Sequence, residues 1–154
     1  MSNAKIRNAK LQDLPAIKLI IDSTELFPSE YLDDMFSSNS DPGNGQEFWL
    51  CYEDNGLQAV AYCAPEKMTN GTWNLLLIAV HKERQREGIG KQLMAHVEET
   101  LKSQGVRVLL VETSGTDDFV RTRSFYENID YQSEARIRDY YDAGDDKIVF
   151  RKAL

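Results

Sequence analysis

The stretch Gln85-Arg86-Glu87-Gly88-Ile89-Gly90-Lys91, called the glycine loop below, joins an apolar run of strand length, residues 73–80, to a segment with helical periodicity. The apolar positions of that segment are Ile89, Leu93, Val97 and Leu101. A strand therefore enters a helix through two glycines. The first turn of a helix offers unpaired N–H groups and the positive end of the helix dipole, and glycines let a bulky anion approach the backbone. The loop is predicted to bind a phosphate group.

Side chains around the two glycines separate the known kinds of phosphate loop. A Walker-type loop needs Gly at 85 and Ser or Thr at 92, but the chain has Gln85 and Gln92. A dinucleotide fingerprint needs a small residue where the chain has Leu93. The pattern that fits is Gln/Arg-x-x-Gly-x-Gly/Ala, which resembles the pyrophosphate signature of the GNAT superfamily of acyl-coenzyme A-dependent N-acyltransferases. Two glycines by themselves are also consistent with plain turn chemistry, and the strand and helix around them favour the anion site.

Composition and charge predict one soluble globular domain, residues 1–154. Of the 154 residues, 42% are hydrophobic and 28% are charged, as in folded domains with a core. The chain has no stretch of signal-peptide or membrane-spanning length, which predicts a cytoplasmic protein without a membrane partner. A net charge of −7 argues against nucleic acid as a partner and favours an amine-bearing substrate.

The cysteines and histidines do not form a metal-binding pattern. Cys51 and Cys63 lie in strand-like segments without CxxC or Cys/His spacing, so we expect reduced core residues. His81 falls in the turn before the glycine loop and His96 on the following helix. No metal cofactor is expected.

Periodicity and turn signals predict seven strands and four helices. Strands are expected at residues 6–9, 48–53, 57–64, 73–80, 106–111, 131–138 and 147–152, and helices after Asp13 and at residues 29–35, 89–104 and 118–128. The order β-α-α-β-β-β-α-β-α-β-β resembles the whole GNAT fold. That resemblance implies a mixed α/β fold: a mostly antiparallel sheet of six to seven strands, flanked by about four helices, with splayed central strands.

The resemblance also implies where acetyl-coenzyme A binds as cosubstrate. The glycine loop is expected to hold the pyrophosphate, and the backbone at the end of the preceding strand is expected to bond to the pantetheine arm. The implied cofactor-binding residues are Ile78, Ala79, Val80, Gln85, Arg86, Glu87, Gly88, Ile89, Gly90 and Lys91.

Tyr126 is the candidate general acid, because Phe125-Tyr126 resembles the Phe-Tyr pair of the family's fourth helix. In that pair the tyrosine hydroxyl lies beside the coenzyme sulfur. An ordinary tyrosine pKa of about 10 leaves the hydroxyl protonated at neutral pH, which suits a proton donor. The alternative is that the two rings only pack the helix on the sheet.

Glu112 is the candidate general base at the end of the central strand. Val111-Glu112-Thr113-Ser114 resembles a segment of ribosomal-protein alanine acetyltransferases in which the glutamate takes a proton through water. The alternatives are a carboxylate exposed to solvent or paired with Arg121 or Arg123, with ordered water as the base.

Aromatic and acidic residues are the candidate walls for the acceptor. Tyr140-Tyr141 resembles a stretch that lines the acceptor groove in the same enzymes, although a packed hairpin is an equal alternative. By the resemblance, Glu25, Phe27 and Tyr31 form the opposite wall, and the polar loop at residues 37–45 is a candidate rim.

The resulting hypothesis is an N-acetyltransferase that moves an acetyl group from acetyl-coenzyme A to a primary amine by direct transfer in a ternary complex. The acceptor, a small molecule or a protein N-terminus, and the acyl-chain length are open. The rival is a non-catalytic sensor of acyl-coenzyme A, or a partner-binding module. Dimerisation is common in the fold, and apolar terminal strands permit a homodimer.

Overall fold

The computed structural model describes residues 4–36 and 46–154, whose helices and strands follow the predicted order. The strands are β1 Lys5–Asn8, β2 Phe48–Glu53, β3 Leu57–Pro65, β4 Thr72–Val80, β5 Val108–Ser114, β6 Gln132–Asp142 and β7 Asp145–Ala153; the helices are α1 Leu14–Thr24, α2 Leu32–Met35, α3 Ile89–Ser103 and α4 Val120–Asn128. The predicted loop at residues 37–45 lies outside the described residues. Short 3-10 turns precede α1, α2, the glycine loop and α4.

The seven strands form one mixed sheet in the order β1-β2-β3-β4-β5-β7-β6. The β4–β5 pair is parallel, because α3 crosses between them, and the other five pairs are antiparallel. β4 pairs with β5 only from Thr72 to Leu75, although β4 continues to Val80. The central strands therefore diverge on the side of the glycine loop, as predicted.

The core lies on both faces of the sheet, and β2 shows the division. Phe48 and Leu50 face a cluster that includes α3 and Tyr126 of α4, whereas Trp49 and Cys51 face a cluster that includes α1. Alternate residues of a strand point to opposite faces, so a continuous apolar run is buried on both sides. This burial fixes the sheet between two layers of helices.

The two cysteines are buried and free, as predicted. Burial raises the pKa of the Cys51 thiol to about 12 and raises that of Cys63 as well. Both thiols therefore stay protonated in the core.

The first helix starts as predicted after Asp13, a residue type that often caps helices but has another role here. α1 begins after Asp13, with Pro15 in its first turn. The Asp13 carboxylate accepts hydrogen bonds from Arg7, at 2.8 and 2.9 Å, and from the Lys10 backbone N–H at 2.7 Å. Asp13 therefore ties β1 to the turn before α1 and makes no side-chain cap to that helix.

Strand β5 is displaced along the chain from its predicted position at residues 106–111. Val106 is buried but belongs to the turn after α3, where its N–H bonds to the Leu101 carbonyl oxygen at 3.1 Å. The strand continues to Ser114 because its polar end pairs with β7. Glu112 consequently lies inside the strand and not at its end.

Strand β6 is longer than predicted and strongly irregular. Its pairing with β7 shifts between Ile137 and Asp142, and Asp139 adopts a left-handed φ of 55°. The Asp146 carboxylate accepts the Asp139 N–H at 2.9 Å. Such a bulge redirects side chains, here beside the divergent ends of β4 and β5.

Candidate functional site

Side chains fix the glycine loop between β4 and α3. The Gln85 amide donates to the Val80 carbonyl oxygen, with Nε2 and O 3.2 Å apart. Just before the loop, Arg84 donates to Glu87 Oε2 and to Asp54 Oδ2, both at 3.0 Å. These contacts tie the loop to the end of β4 and to the β2–β3 turn.

The glycine loop leads into the N-terminus of α3, which no side chain caps. Gly88, at the N-cap of α3, has a φ of 80°, which favours glycine, and no side chain caps this end. The N–H groups of the first turn have no partner within the helix. A Cβ on Gly90 would lie 3.3 Å from Phe125 Cζ, so the absence of a side chain at Gly90 keeps the space beside the first turn of α3 open. The arrangement suits an anion held by backbone N–H groups.

A first cavity of about 480 Å³, the α3 pocket, lies at this helix end. It is lined by all the predicted cofactor residues except Ala79 and Glu87; Ala79 packs in the α1 core, and Glu87 is bonded to Arg84. From α4 it gains Arg121, Thr122, Phe125, Tyr126 and Asn128. Arg86, Lys91 and Arg121 make its rim cationic.

A second cavity of about 420 Å³, the β5 pocket, lies where β4 and β5 diverge. It is lined by Leu26, Phe27, Leu75, Leu76, Leu77, Ile78, Val111, Glu112, Thr113, Ser114, Phe119, Thr122, Tyr126, Tyr141 and Asp145. Leu76 is the extra residue of a β3–β4 bulge and is 49% exposed. The wall combines apolar side chains with two carboxylates and several hydroxyl groups.

Three residues, Ile78, Thr122 and Tyr126, line both cavities. Beyond Leu75, β4 is no longer paired with β5, so its backbone groups that face the gap are outside the β4–β5 ladder. The two pockets therefore form one cleft across the divergent strands, and Tyr126 lies at their junction.

Tyr126 is both a packing residue and a potential donor. Its ring is 3% exposed and packs 5.2 Å from the Phe125 ring and 5.6 Å from the Phe150 ring, as measured between centroids. Burial raises the pKa of the Tyr126 hydroxyl. Packing and proton donation are thus compatible, because a buried ring holds its hydroxyl at the wall of the cleft.

Glu112 has partners that the sequence did not indicate. Its Oε1 lies 2.9 Å from Lys147 Nζ, and its Oε2 accepts the Asn74 amide at 3.1 Å. The alternative pairing with Arg121 or Arg123 is wrong for Arg123, whose guanidinium donates to the carbonyl oxygens of Ser114 and Thr116 at 2.8 Å. Glu112 lines the β5 pocket within a network of β4, β5 and β7.

The structure places some, but not all, of the predicted acceptor residues at the β5 pocket. Phe27 and Tyr141 both line the β5 pocket, whereas Glu25, Tyr31 and Tyr140 are not among its lining residues. Tyr31 stacks on Phe27 with centroids 6.4 Å apart, and Tyr140 lies under Lys147 Nζ at 4.2 Å. Glu25 ends α1 with a left-handed φ of 55°. The β6–β7 hairpin is confirmed, but Tyr140 and Tyr141 are 54% and 47% exposed and are not packed in it, and their role in acceptor binding stays a prediction.

The remaining residues of the site had weak sequence signals. Thr122 lies one helical turn before Tyr126, so its place on the same face of α4 could have been read from the spacing. The positions of Asn74 and Lys147 depend on pairings between strands far apart in sequence. No local pattern identifies such partners.

Comparison with known proteins decides the family. The sequence model of the Acetyltransferase (GNAT) domain family matches residues 44–133. The chain belongs to the GNAT acetyltransferase family. It is an acyltransferase, and the sheet of seven strands with four helices confirms the predicted GNAT fold.

Several GNAT relatives cover nearly the whole chain. It is 26% identical over 142 residues to ribosomal protein bS18-alanine N-acetyltransferase of Escherichia coli (strain K12), which covers 91% of this chain and 88% of that protein. The crystal structure of a Desulfovibrio desulfuricans protein assigned to the GNAT acetyltransferases is 31% identical, has a TM-score of 0.85, and covers 97% of this chain and 98% of that one. A Salmonella typhimurium structure described as an acetyltransferase with acetyl-coenzyme A is 14% identical, with a TM-score of 0.77 and coverages of 98% and 94%.

Within residues 4–36 and 46–154, no three His, Cys, Asp or Glu side chains are grouped for metal binding. In the same part of this GNAT chain, no helix has the length and apolarity to cross a bilayer.

Proposed function

We propose that this GNAT chain transfers an acetyl group from acetyl-coenzyme A to a primary amine, by direct transfer with both substrates bound. The observation that carries the proposal is the junction of the α3 and β5 pockets at Tyr126. A donor that enters along α3 and an acceptor that enters along β5 meet beside one hydroxyl group. Holding two reactants in one cleft makes their reaction effectively unimolecular.

The donor would lie along the α3 pocket. The uncapped first turn of α3 and the cationic rim, with Arg86, Lys91 and Arg121, suit the pyrophosphate. The free edge of β4 beyond Leu75 offers backbone groups to the pantetheine amides. The acetyl carbonyl would then lie near Tyr126. The Salmonella structure with acetyl-coenzyme A, at 14% identity, supports the choice of donor through the shared fold.

Tyr126 would donate the proton that the leaving group needs. In the reaction, the amine nitrogen forms a bond to the thioester carbonyl carbon, and the C–S bond breaks. The thiolate takes the Tyr126 hydroxyl proton, and bulk solvent restores that proton. Because burial raises the pKa of Tyr126, its hydroxyl stays protonated over the neutral range.

Glu112 would take the proton that the attacking amine loses, directly or through water. It is a carboxylate on the wall of the β5 pocket, and Lys147 and Asn74 hold both of its oxygens. An α-amine with a pKa near 8 needs less help from a base than a lysine-type amine with a pKa near 10.4. A protein N-terminus is one such acceptor, and the E. coli relative is named for an alanine of ribosomal protein bS18.

A thiol-release assay tests the proposal. Acetyl-coenzyme A would be offered with a panel of amines: amino acids, a polyamine, lysine peptides and peptides that begin with alanine. We expect turnover with at least one amine, and a drop in kcat of about 100-fold or more for Tyr126→Phe, with coenzyme A affinity retained.

Tyr131→Phe is the matched control. Tyr131 is also a buried tyrosine and packs 5.7 Å from Tyr126, but its hydroxyl donates to Glu98 at 2.7 Å. The Tyr131→Phe variant should keep the kcat of the wild type. Tight binding of acetyl-coenzyme A without turnover of any amine would contradict the transferase and favour the sensor. The cytoplasmic location, the homodimer and the lack of a nucleic-acid partner stay predictions.

A further inference from the structure

A buried lysine lies behind the wall of the β5 pocket. The side chain of Lys147 is 11% exposed, and its Nζ lies 2.9 Å from Glu112 Oε1. Lys147 is opposite Ser114 in the β5–β7 register, two positions along β5 from Glu112. Side chains two positions apart on a strand share a face of the sheet, so the ion pair is diagonal across neighbouring strands.

The cost of burying this cation is offset by its surroundings. Burial by itself lowers the pKa of Lys147, but the hydrogen bond and charge of Glu112, together with Tyr140, more than offset it and the pKa is raised. The Tyr140 ring lies 4.2 Å below Nζ, at a distance typical of a cation–π contact. Lys147 is therefore charged over the neutral range.

Asn74 completes the network from β4. The Asn74 side chain is buried, and its Nδ2 donates to Glu112 Oε2 at 3.1 Å and to Glu66 Oε1 at 3.0 Å. The two oxygens of Glu112 are thus held by different strands. A carboxylate held in this way has little freedom to change rotamer.

We propose that Lys147 is a positioning residue that holds Glu112 in the β5 pocket as an ionised carboxylate, ready to take the proton of the acceptor amine. This inference rests on the proposed transferase function. Lys147 acts through Glu112 and does not itself line the pocket. It therefore supplies the positive charge beside the base.

The other described ionisable groups around Glu112 are acids and not cations. Asp145 of β7 is acidic, Tyr140 and Tyr141 of β6 are weak acids, and Glu66 shares the Asn74 amide. Of the residues that the structure describes, Lys147 is the cation that contacts Glu112. Without it, Glu112 would lose its positively charged partner and, among the described residues, keep only acidic neighbours and the Asn74 amide.

The test is the pH profile of kcat/KM for Lys147→Met, measured with an amine that the wild type turns over. We expect the acid limb to move to higher pH by about one pH unit or more, because an opposite charge at this distance is removed. Lys147→Gln should shift it in the same direction if Lys147→Met folds poorly. Lys147→Arg keeps the charge and should restore a limb close to that of the wild type.

Lys152→Met is the matched control on the same strand. Lys152 makes an ion pair of similar length, 2.8 Å to Glu98 Oε1, and neither of these two residues lines a pocket. It should change stability without moving the acid limb. If the profiles of Lys147→Met and Lys147→Gln superimpose on that of the wild type, the positioning role of Lys147 is overturned.

A second measurement separates this inference from the proposed function. In protein with ¹³C-labelled glutamate carboxyl groups, the Glu112 signal is the one missing in Glu112→Gln. Its midpoint on titration should rise in Lys147→Met and stay in place in Lys152→Met. This readout needs no turnover, so an inactive wild type would contradict the transferase alone, whereas an unmoved Glu112 midpoint would contradict the role of Lys147.

Discussion

The two halves of the cleft are built in different ways. The α3 pocket depends mainly on local backbone: a left-handed Gly88 and an uncapped helix end, with Arg86 and Lys91 a few residues away and Arg121 added from α4. The β5 pocket depends on side chains that three strands bring together, with Glu112 held between Asn74 and Lys147. In the proposed function, local geometry binds the donor, whereas contacts between distant residues form the wall that meets the acceptor.

The largest effect should come from removing the negative charge of Glu112 on the wall of the β5 pocket. Glu112→Gln should lower kcat by about 100-fold or more, since general bases contribute on that scale, and leave the affinity for coenzyme A unchanged. Steady-state kinetics and calorimetry measure the two quantities. Glu66→Gln is the control, because Glu66 shares the Asn74 amide but does not line the pocket. Equal losses in both variants would contradict a catalytic role for Glu112.

In the α3 pocket, the affinity for coenzyme A should fall when side-chain volume is added at the start of the helix. Gly90→Val should weaken coenzyme A binding by about 10-fold or more, because even a Cβ at this position lies 3.3 Å from Phe125 and overpacking costs about 1–3 kcal/mol. Ala95→Val, at an exposed site of the same helix, controls for the lower helix propensity of valine. Equal affinities in calorimetry would show that the start of α3 does not bind the coenzyme.

Charge at the rim of the α3 pocket should matter less than its shape. Arg121 is exposed, so Arg121→Ala should reduce coenzyme A affinity by about 2- to 5-fold at low salt. The difference should fade at high ionic strength because of screening. Lys102→Ala, in the last turn of α3, should be neutral at every salt concentration. An effect of Arg121→Ala that does not depend on salt would argue against a charge interaction.

The smallest effect concerns the pH dependence of kcat that arises from Tyr126, where the α3 and β5 pockets meet. Because burial raises the pKa of Tyr126 above its ordinary value of 10.0, the hydroxyl should stay protonated through pH 10. With an α-amine acceptor, which is already deprotonated above pH 8, kcat should be flat from about pH 8.5 to 10. A decline with a midpoint below 10 that disappears in Tyr126→Phe would contradict the burial argument.

The same contrast explains what the sequence could predict. The order of strands and helices, the β4–β5 crossover and the glycine loop follow from periodicity and from turn residues such as Asn55-Gly56, which adopt the expected left-handed φ angles of 55° and 98°. These are local signals. Most of the α3 pocket was therefore identified from residues 78–91.

The β5 pocket was less predictable because its contacts are not local. The ion-pair partner of Glu112 is 35 positions away in sequence, and its amide partner is 38 positions away. The bulge at Asp139, which redirects Tyr140 and Tyr141, depends on an Asp146 hydrogen bond across the hairpin. Strand β5 was misplaced because the apolar Val106 resembles a strand residue, whereas it packs in the turn after α3.

A crystal structure with coenzyme A bound is the most direct test of a cleft in which donor and acceptor meet at Tyr126. The account predicts the pyrophosphate within hydrogen-bond distance of N–H groups of residues 86–91, with the pantetheine arm along the free edge of β4 and its sulfur beside the Tyr126 hydroxyl. Coenzyme A bound elsewhere, or with its sulfur directed away from Tyr126, would contradict it.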